Sequence, residues 1–321
     1  MSTIKQISRR QFMGYGAAAA ATSMIPGAPA FAQGQEGIIM RNIPGTNEFL
    51  PAVGIGSPNI FYKHPEEGKE NSLAVLRELV KQGSKVIDTP PFFRPDPPIV
   101  GALLTELGIQ DDMFLTTKIP VHVTGKEDSL NHLTRAVENL NKSGPMDLVM
   151  SHNMGDIPNH WPLLSEWKEA GKIRYTGVSY VNVGSNAPLI DFMKAEKPDF
   201  IMIDFSILKT GPEEDVLPLA QDLGIATLIA SPFSAPGKGG QGQGGIFKLA
   251  ANTELPEWAA EYGISSWAQF ALKYVVSHPA ITCAIMETST VSRIVDNMGA
   301  AYGALPGTAG RRKMREFVAS I

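Results

Sequence analysis

The sequence predicts an α/β fold for the chain after residue 32, a single closed barrel of eight parallel strands joined by helices. Eight apolar runs of strand length alternate with amphipathic stretches, and no linker rich in proline or charge interrupts them. Such runs are typical of parallel strands, which are buried on both faces. The count of eight favours a (β/α)8 TIM barrel over a doubly wound open sheet, which would also carry a glycine-rich turn after its first strand.

Each strand is predicted from a short apolar run, and each helix from apolar residues that recur three or four positions apart. A turn at residues 44–47 predicts an N-terminal β-hairpin that caps one end of the barrel. Barrel strands are predicted at residues 53–56, 85–88, 114–119, 146–152, 173–179, 200–205, 226–231 and 281–286. Helices are predicted between the strands, among them 71–82, 128–141, 161–170, 213–222 and 267–277, and further helices at the C-terminal end.

Composition agrees with one large domain that is held together by its core. The chain has 321 residues, of which 43% are hydrophobic and 19% charged, enough to bury a barrel-sized core. The single cysteine, Cys283, excludes an internal disulfide and leaves too few thiolates for an iron–sulfur cluster or a cysteine-rich zinc site. The fold therefore has to depend on apolar packing.

Residues 1–32 are predicted to be a signal peptide that is cleaved after Ala32, so that residues 33–321 form the barrel. The segment has three basic residues and no acid, then an apolar run over residues 13–25, then Ala-Phe-Ala. Ser-Arg-Arg-Gln-Phe at residues 8–12 resembles a twin-arginine export signal. The apolar run is too short to span a bilayer. We expect a periplasmic protein with the twin-arginine translocase as its export partner and no stable membrane anchor; the alternative is a basic tail on a cytoplasmic protein.

The charge of the mature chain limits its partners. Removing residues 1–32 takes away three of the 28 basic residues and none of the 32 acidic ones, which leaves a formal charge of −7. An acidic surface argues against a nucleic acid or an anionic membrane as the partner. A small carbonyl compound or an anionic small molecule is the expected ligand.

Three consecutive predicted strands end on a polar side chain, Asp88, Lys118 and His152. The C-terminal ends of parallel barrel strands lie together, so these side chains should share one rim. Burying polar groups there is costly, which favours a function over a leftover ion pair and a satisfied histidine. A metal site of Asp88, His122 and His152 is disfavoured because the ammonium group of Lys118 would compete with the ion, so no metal is expected. The next strands would bring Ser179, Asp204 and Ser231 to the same rim.

Three segments carry a resemblance to a known family. They are GKIRYTGVS at residues 171–179, WAQFALKYVVSHP at residues 267–279, and Arg293 together with NMGA at residues 297–300. With the predicted barrel, they resemble the aldo-keto reductases over nearly all of the mature chain. The resemblance implies a (β/α)8 barrel and an oxidoreductase that reduces a carbonyl substrate with NAD(P)H.

The family resemblance also implies roles for the rim residues. Members use an Asp, a Tyr, a Lys and a His, and Asp88, Lys118 and His152 match three of these. Asp88 would hold Lys118 in place and charged, Lys118 would lower the pKa of the tyrosine phenol, and His152 would orient the carbonyl. The family's Tyr lies five residues after the Asp, where this chain has Phe93. Impaired or modified chemistry is therefore expected, with water or another residue as the proton donor, and Tyr62 and Tyr180 are the two candidate phenols.

The same resemblance places the cofactor residues. At the nicotinamide, the family's Ser-Asn is matched by Ser179 and Tyr180, its Gln by Met202, and its stacking aromatic by Ala230 when Ser231 is aligned with the family's Ser. At the adenosine end, Arg293 and Asn297 match, while Glu287 occupies a position that is often basic. NAD(P) is the expected cofactor. A carboxylate at 287 would repel a 2′-phosphate and accept hydrogen bonds from a ribose diol, which favours NAD over NADP.

The same residues allow a second function. The rim of Asp88, Lys118 and His152 could instead serve a non-reductase periplasmic barrel, either a ligand-binding protein or a lyase. A glycine-rich segment at residues 236–245, after the seventh barrel strand, is interpreted either as a lid or as a flexible connection.

Overall fold

The structure is a computed structural model that describes residues 37–56, 61, 65–90, 99–234 and 245–321. The predicted signal peptide, Tyr62, Phe93 and all but the last residue of the glycine-rich segment lie outside the described residues. Among the residues described, no helix has the length and apolarity needed to cross a membrane.

The N-terminal hairpin is present and closes one end of the barrel. Strand β1 (Met40–Asn42) pairs antiparallel with β2 (Phe49–Pro51). Its turn is held by the Thr46 hydroxyl, which donates to the Ile43 carbonyl at 2.8 Å. Ile43 and Leu50 are fully buried against the first residues of the barrel strands. Through these apolar contacts the hairpin covers the N-terminal end of the barrel, which confirms the prediction of an N-terminal hairpin that caps it.

Eight parallel strands form a closed barrel, as the sequence predicts. The strand order around it is β10-β3-β4-β5-β6-β7-β8-β9, so neighbours in sequence are neighbours in space except where the last strand meets the first. The strands are β3 (Val53–Ile55), β4 (Val86–Asp88), β5 (Phe114–Ile119), β6 (Met146–Ser151), β7 (Ile173–Tyr180), β8 (Phe200–Asp204), β9 (Ala226–Ala230) and β10 (Cys283–Met286).

Helices cross from each barrel strand to the next and pack outside the barrel. In the described part they are α1 (Pro65–Lys81), α2 (Val100–Leu107), α3 (Lys126–Leu140), α4 (Ile157–Glu169), α5 (Ala187–Glu196), α6 (Val216–Leu223), α7 (Ile246–Leu249), α8 (Trp267–Val276), α9 (Val291–Met298) and α10 (Thr308–Ala319). Helix α4 begins four residues earlier than predicted. Its first turn holds Pro158, and proline is tolerated there because the N–H it lacks would have no partner within the helix.

Two apolar layers make the core. One fills the barrel, where Phe114, Tyr175 and Phe200 pack with ring centroids 5.4–6.1 Å apart. The other lies between the strands and the helices. Met150 and Met202 belong to the interior layer. Apolar side chains thus fill the barrel up to the level of these methionines, which leaves its C-terminal end for polar groups.

A cavity of about 290 Å³ lies at the N-terminal end of the barrel. Asp147 is buried there and accepts from Lys142 at 2.5 Å and from Arg174 at 2.6 Å. Arg174 also pairs with Glu48 of the hairpin. The charged side chains of this cavity hold the hairpin to the barrel, and none of the predicted site residues lines it.

Candidate active site

Asp88 and Lys118 form a buried ion pair at the C-terminal end of the barrel. They end neighbouring strands, and the Lys118 Nζ lies 2.5 Å from the Asp88 Oδ1. The exposed fractions of the two side chains are 5% for Lys118 and 14% for Asp88. Removing one partner of such a pair leaves an uncompensated buried charge, which costs about 3–5 kcal/mol. Both side chains point into the barrel because of the alternation along their strands, and Asp88 thus holds the Lys118 ammonium group firmly in place.

Two threonines complete the surroundings of the pair. Thr116 lies opposite Asp88 in the β4–β5 register, and its hydroxyl donates to the Asp88 Oδ1. The Lys118 ammonium group also donates to the Thr89 carbonyl at 3.2 Å. Its third N–H has no acceptor among the described residues. Within the described part of the chain, one donor of this ammonium group therefore makes no hydrogen bond.

His152 follows β6, the next strand around the barrel, and is uncharged at neutral pH. Its pKa is lowered from 6.5 to about 4, first by burial and then by the positive charges of Lys118 and His122. A neutral imidazole can orient a carbonyl through one N–H without a full positive charge of its own. The structure therefore brings together Asp88, Lys118 and His152, as expected from their positions at the ends of neighbouring parallel strands.

The turn after His152 places a side-chain amide beside Ser179. Asn153 adopts a left-handed backbone conformation, with φ 49° and ψ 35°. Its N–H donates to the Ser179 Oγ at 2.9 Å, and its Oδ1 accepts from the Val181 N–H at 2.9 Å. The Nδ2 of Asn153 and the hydroxyl proton of Ser179 have no acceptor in the described part of the chain. These two groups add polar donors to the rim.

The other residues predicted at the nicotinamide end do not all face the rim. Ser179 points inward and is fully buried, whereas Tyr180 packs with the apolar layer outside the barrel. Met202 lies in the interior apolar cluster and offers no hydrogen bond there. Ser231 follows β9 with φ 53°, next to Ala230. Tyr180, on the outer face of β7, is therefore not placed to act as a substitute phenol beside Lys118.

The residues predicted at the adenosine end follow β10. Glu287 comes directly after the strand, and partial burial raises the pKa of its carboxyl group. Arg293 is exposed on α9, and Asn297, one turn later, is buried. Arg293 is the cation of this group that solvent reaches.

A second ion pair lies on the far side of the rim. Asp204 ends β8, and its carboxylate pairs with Lys209 and accepts from the Asn182 N–H at 3.3 Å. Tyr180, Asp204 and Lys209 line a cleft of about 160 Å³. Lys209 and Asn153 were not predicted as site residues. Neither ends an apolar run, so strand patterning gives no signal for them; each reaches the rim through a loop.

No three His, Cys, Asp or Glu side chains among the described residues lie close enough together to hold a metal ion. The alternative of a site built from Asp88, His122 and His152 therefore has no cluster to support it.

The polar groups of the rim fit a nicotinamide nucleotide. At one end, the Ser179 hydroxyl and the Asn153 amide have donors without acceptors among the described residues, as a carboxamide oxygen would need. At the other end, Arg293 is exposed and cationic, as a phosphate would need. Between them, Lys118 and His152 can bind a carbonyl oxygen.

Comparisons with known proteins find related sequences and folds. The model of the aldo/keto reductase family matches residues 52–306. Methylglyoxal reductase YeaE of Escherichia coli is 25% identical over 252 residues, 77% of this chain and 84% of its own. L-galactose dehydrogenase of Arabidopsis thaliana is 21% identical over 283 residues, 82% of this chain and 88% of its own. A Klebsiella pneumoniae aldo/keto reductase solved with NADP and acetate superposes with a TM-score of 0.68 at 21% identity, covering 86% of this chain and 94% of its own.

Proposed function

Because the chain belongs to the aldo/keto reductase family, we propose that it is an NAD(P)H-linked oxidoreductase that reduces a carbonyl compound with modified chemistry. The observation that carries the proposal is the buried Asp88–Lys118 ion pair beside a neutral His152 at the C-terminal end of the barrel. In (β/α)8 enzymes this is the end where the chemistry takes place.

The residues that would hold the nucleotide follow from the rim. Ser179 and Asn153 would bind the carboxamide of the nicotinamide, and Arg293 and Asn297 would bind the adenosine end. Ser231, after β9, would lie between them. When bound, the reduced nucleotide supplies a hydride. Tyr180, Met202 and Ala230 offer it no polar contact at the barrel mouth.

The chain's own contribution is to position and polarise the carbonyl group. Asp88 and the Thr89 carbonyl fix the Lys118 ammonium group, whose remaining N–H binds the carbonyl oxygen. A neutral His152 donates a second hydrogen bond to that oxygen. Donors that are already fixed in a dry site stabilise developing negative charge without a cost of reorganisation.

The reaction also needs a proton for the alcohol oxygen, and the family's Tyr is replaced by Phe93. A positioned proton donor is worth on the order of 10²–10⁴ in rate, or about 3–5 kcal/mol of barrier. Water that is held by Lys118 and His152 is the donor we propose. Turnover would then be slow at every substrate concentration.

The nucleotide preference is a finer proposal. NAD is favoured on the basis of Glu287 alone, since a half-buried carboxylate would repel a 2′-phosphate. The solved Klebsiella relative contains NADP, which gives this preference no support. It stays a prediction that the titration below tests.

Small carbonyl compounds are the first substrates to try. The E. coli relative is named for methylglyoxal and the Arabidopsis relative for L-galactose. We therefore propose to assay the reduction of methylglyoxal, a small substrate, and the oxidation of L-galactose, a larger one.

We also propose that residues 1–32 direct the folded protein to the periplasm through the twin-arginine translocase. The support is the order of basic residues, apolar run and Ala-Phe-Ala in the sequence. The mature protein would begin at Gln33 and bind neither nucleic acid nor a membrane stably.

Titration of the purified mature protein with NADH and with NADPH, followed by nucleotide fluorescence, tests the proposed function. We expect saturable binding of at least one nucleotide, followed by slow, methylglyoxal-dependent oxidation of it. Lack of binding by either would contradict the proposal. Binding of a carbonyl compound or an anion without any nucleotide would instead support a non-reductase periplasmic barrel, a ligand-binding protein or a lyase, which the comparisons do not favour.

A further inference from the structure

Two loops at the rim are joined to each other by close contacts. Residues 120–125 follow the strand of Lys118, and residues 152–156 follow the strand that leads to His152. At Gly155 a Cβ atom would lie only 2.6 Å from the Cα of Val121, so the two backbones touch there. The Gly125 N–H donates to the Asp156 carboxylate at 2.6 Å. The two loops are therefore in direct contact through both backbone and side chain.

His160 makes the third contact between them. It is fully buried in the first turns of α4, with no exposed surface. Its Nε2 lies 2.9 Å from the Val123 carbonyl oxygen, across the loop junction. Its Nδ1 lies 2.9 Å from the Oγ of Ser151, the residue before His152. One ring thus connects the loop after Lys118 to the backbone that carries His152.

The protonation of the ring is set by its partners. A carbonyl oxygen only accepts, so the Nε2 of His160 carries the proton. Burial lowers the pKa of the His160 ring. The Val123 carbonyl and Asp156 raise it, but burial is the larger effect, so the pKa is lowered overall. The single hydroxyl proton of Ser151 is then shared between the neutral Nδ1 of His160 and the Gly155 carbonyl oxygen, which both lie 2.9 Å from the Ser151 Oγ. Asp156 from the turn before α4 and His132 from α3 face the ring, and Arg135 and His122 face His132.

We propose that His160 is a positioning residue, which fixes the separation between Lys118 and His152 by bridging Val123 and Ser151. Its meaning for catalysis rests on the proposed function, but the bridge itself does not. Apolar packing could fill the same space without connecting the two hydrogen-bond partners. A displacement of about 1 Å between groups that bind the same oxygen can cost roughly 10² in rate, so the bridge has a measurable purpose.

Histidine-selective NMR of the full mature protein tests the inference, with His152→Gln used to assign the His152 signal. The pKa of His152 is about 4 because its ring is buried beside Lys118 and His122. In His160→Leu the loops separate and water reaches the ring. We expect the His152 midpoint to rise by about one pH unit or more, since desolvation is the main cause of its depression.

Two conservative variants separate positioning from folding. In His160→Gln, the terminal amide can still donate to the Val123 carbonyl. The His152 midpoint should therefore rise by less than half as much as in His160→Leu. In His160→Asn, the shorter side chain keeps the Ser151 contact alone, so the shift should match that of His160→Leu. His278→Leu is the matched control, because it removes a partly buried histidine whose pKa, like that of His152, is lowered to about 4, at the other end of the barrel. It should lower stability and leave the His152 midpoint unchanged.

An unchanged His152 midpoint in folded His160→Leu would overturn the inference, as would equal shifts in the Gln and Leu variants. If His160→Leu does not fold, the His152 midpoints of His160→Asn and His160→Gln are compared instead. Equal midpoints in these two variants would overturn the inference. The measurement needs neither nucleotide nor substrate, so it is independent of the outcome of the nucleotide titration. In a protein that does turn over, His160→Leu should lower kcat about 10²-fold and change KM by less than about twofold.

Discussion

Single residues decide what the rim can do. Lys118 has two of its three N–H groups committed to Asp88 and Thr89, and His152 is held neutral by burial. In the proposed reaction both side chains bind the carbonyl oxygen of the substrate. The residue that the family's chemistry would add, a phenol five positions after Asp88, is absent from the sequence.

Restoring that phenol is the first prediction at this scale. We expect Phe93→Tyr to raise the rate of methylglyoxal reduction about 10- to 100-fold, because a positioned acid then replaces water. The measurement is the steady-state oxidation of NADH or NADPH. Phe92→Tyr, which adds the same hydroxyl one position earlier, is the control and should leave the rate nearly unchanged. Equal rates in Phe93→Tyr and the wild type would show that proton donation does not limit turnover.

The ion pair gives a second prediction. Lys118→Met should lower the free energy of unfolding by about 3–5 kcal/mol, because Asp88 is left charged and buried. Urea denaturation at pH 7.5 measures this loss. In the double variant Asp88→Asn with Lys118→Met, most of the stability should return while carbonyl reduction stays abolished. A double variant as unstable as Lys118→Met would mean that packing, not charge, dominates the loss.

At the scale of elements, the loops after the strands matter more than the strands themselves. Strands β4, β5 and β6 fix the direction of Asp88, Lys118 and the backbone before His152. The loops then supply Asn153 and Lys209, and the first turns of α4 supply the His160 bridge. Loops that follow the strands of such barrels are where function varies, because the strands below them are locked by the core.

The segment that joins β10 to α9 carries the prediction on nucleotide preference. Replacing Glu287 by Lys should strengthen NADPH binding about tenfold relative to NADH, because an attractive charge replaces a repulsive one beside the 2′-phosphate. Fluorescence titration at 50 and at 300 mM salt measures it, and the effect should shrink at the higher salt. Glu169→Lys makes the same charge change at the end of α4, at the opposite end of the barrel, and should change neither affinity. If Glu287→Lys left the preference between NADPH and NADH unchanged, the 2′ position of the bound nucleotide would not lie beside residue 287.

At the scale of the whole molecule, partly buried histidines link stability to pH. The pKa values of His132, His152 and His278 are lowered to about 4, chiefly by burial. The unfolded chain binds protons below about pH 6.5, whereas the folded chain resists them until about pH 4. Stability is therefore complete above pH 6.5 and is lost as the pH falls toward 4.

The size of that loss can be bounded. A shift of one pKa unit corresponds to about 1.4 kcal/mol, so each fully shifted histidine can cost up to about 3 kcal/mol by pH 4. Urea denaturation at intervals between pH 7.5 and 4.5 should show a falling free energy of unfolding. His278→Gln removes one of the three histidines, so its free energy of unfolding should fall less steeply with pH. A free energy that is constant over this range would mean that these rings are hydrated and titrate normally.

The export prediction also concerns the whole chain. Changing Arg9 and Arg10 together to Lys should stop export, because the translocase reads the arginine pair as an address. Fractionation of cells followed by mass spectrometry measures the location and the N-terminus. We expect the wild type to begin at Gln33 in the periplasm. A wild-type protein that keeps Met1 in the cytoplasm would contradict the prediction.

The sequence by itself determined the barrel and the three rim residues. Apolar runs and amphipathic stretches have periods that local geometry imposes, so eight strands could be counted and their ends compared. Because all barrel strands run in one direction, a polar residue at each end is enough to predict that Asp88, Lys118 and His152 lie together. The hairpin cap followed from its turn in the same way.

Only the tertiary structure decided which groups surround that rim. It placed Tyr180 outside the barrel and Met202 in the apolar interior, and it brought Asn153 to Ser179. It also joined His160 to Val123, 37 residues apart. Side-chain periodicity fixes the face on which a residue lies, but contacts between loops depend on how distant segments pack, and no local pattern encodes that.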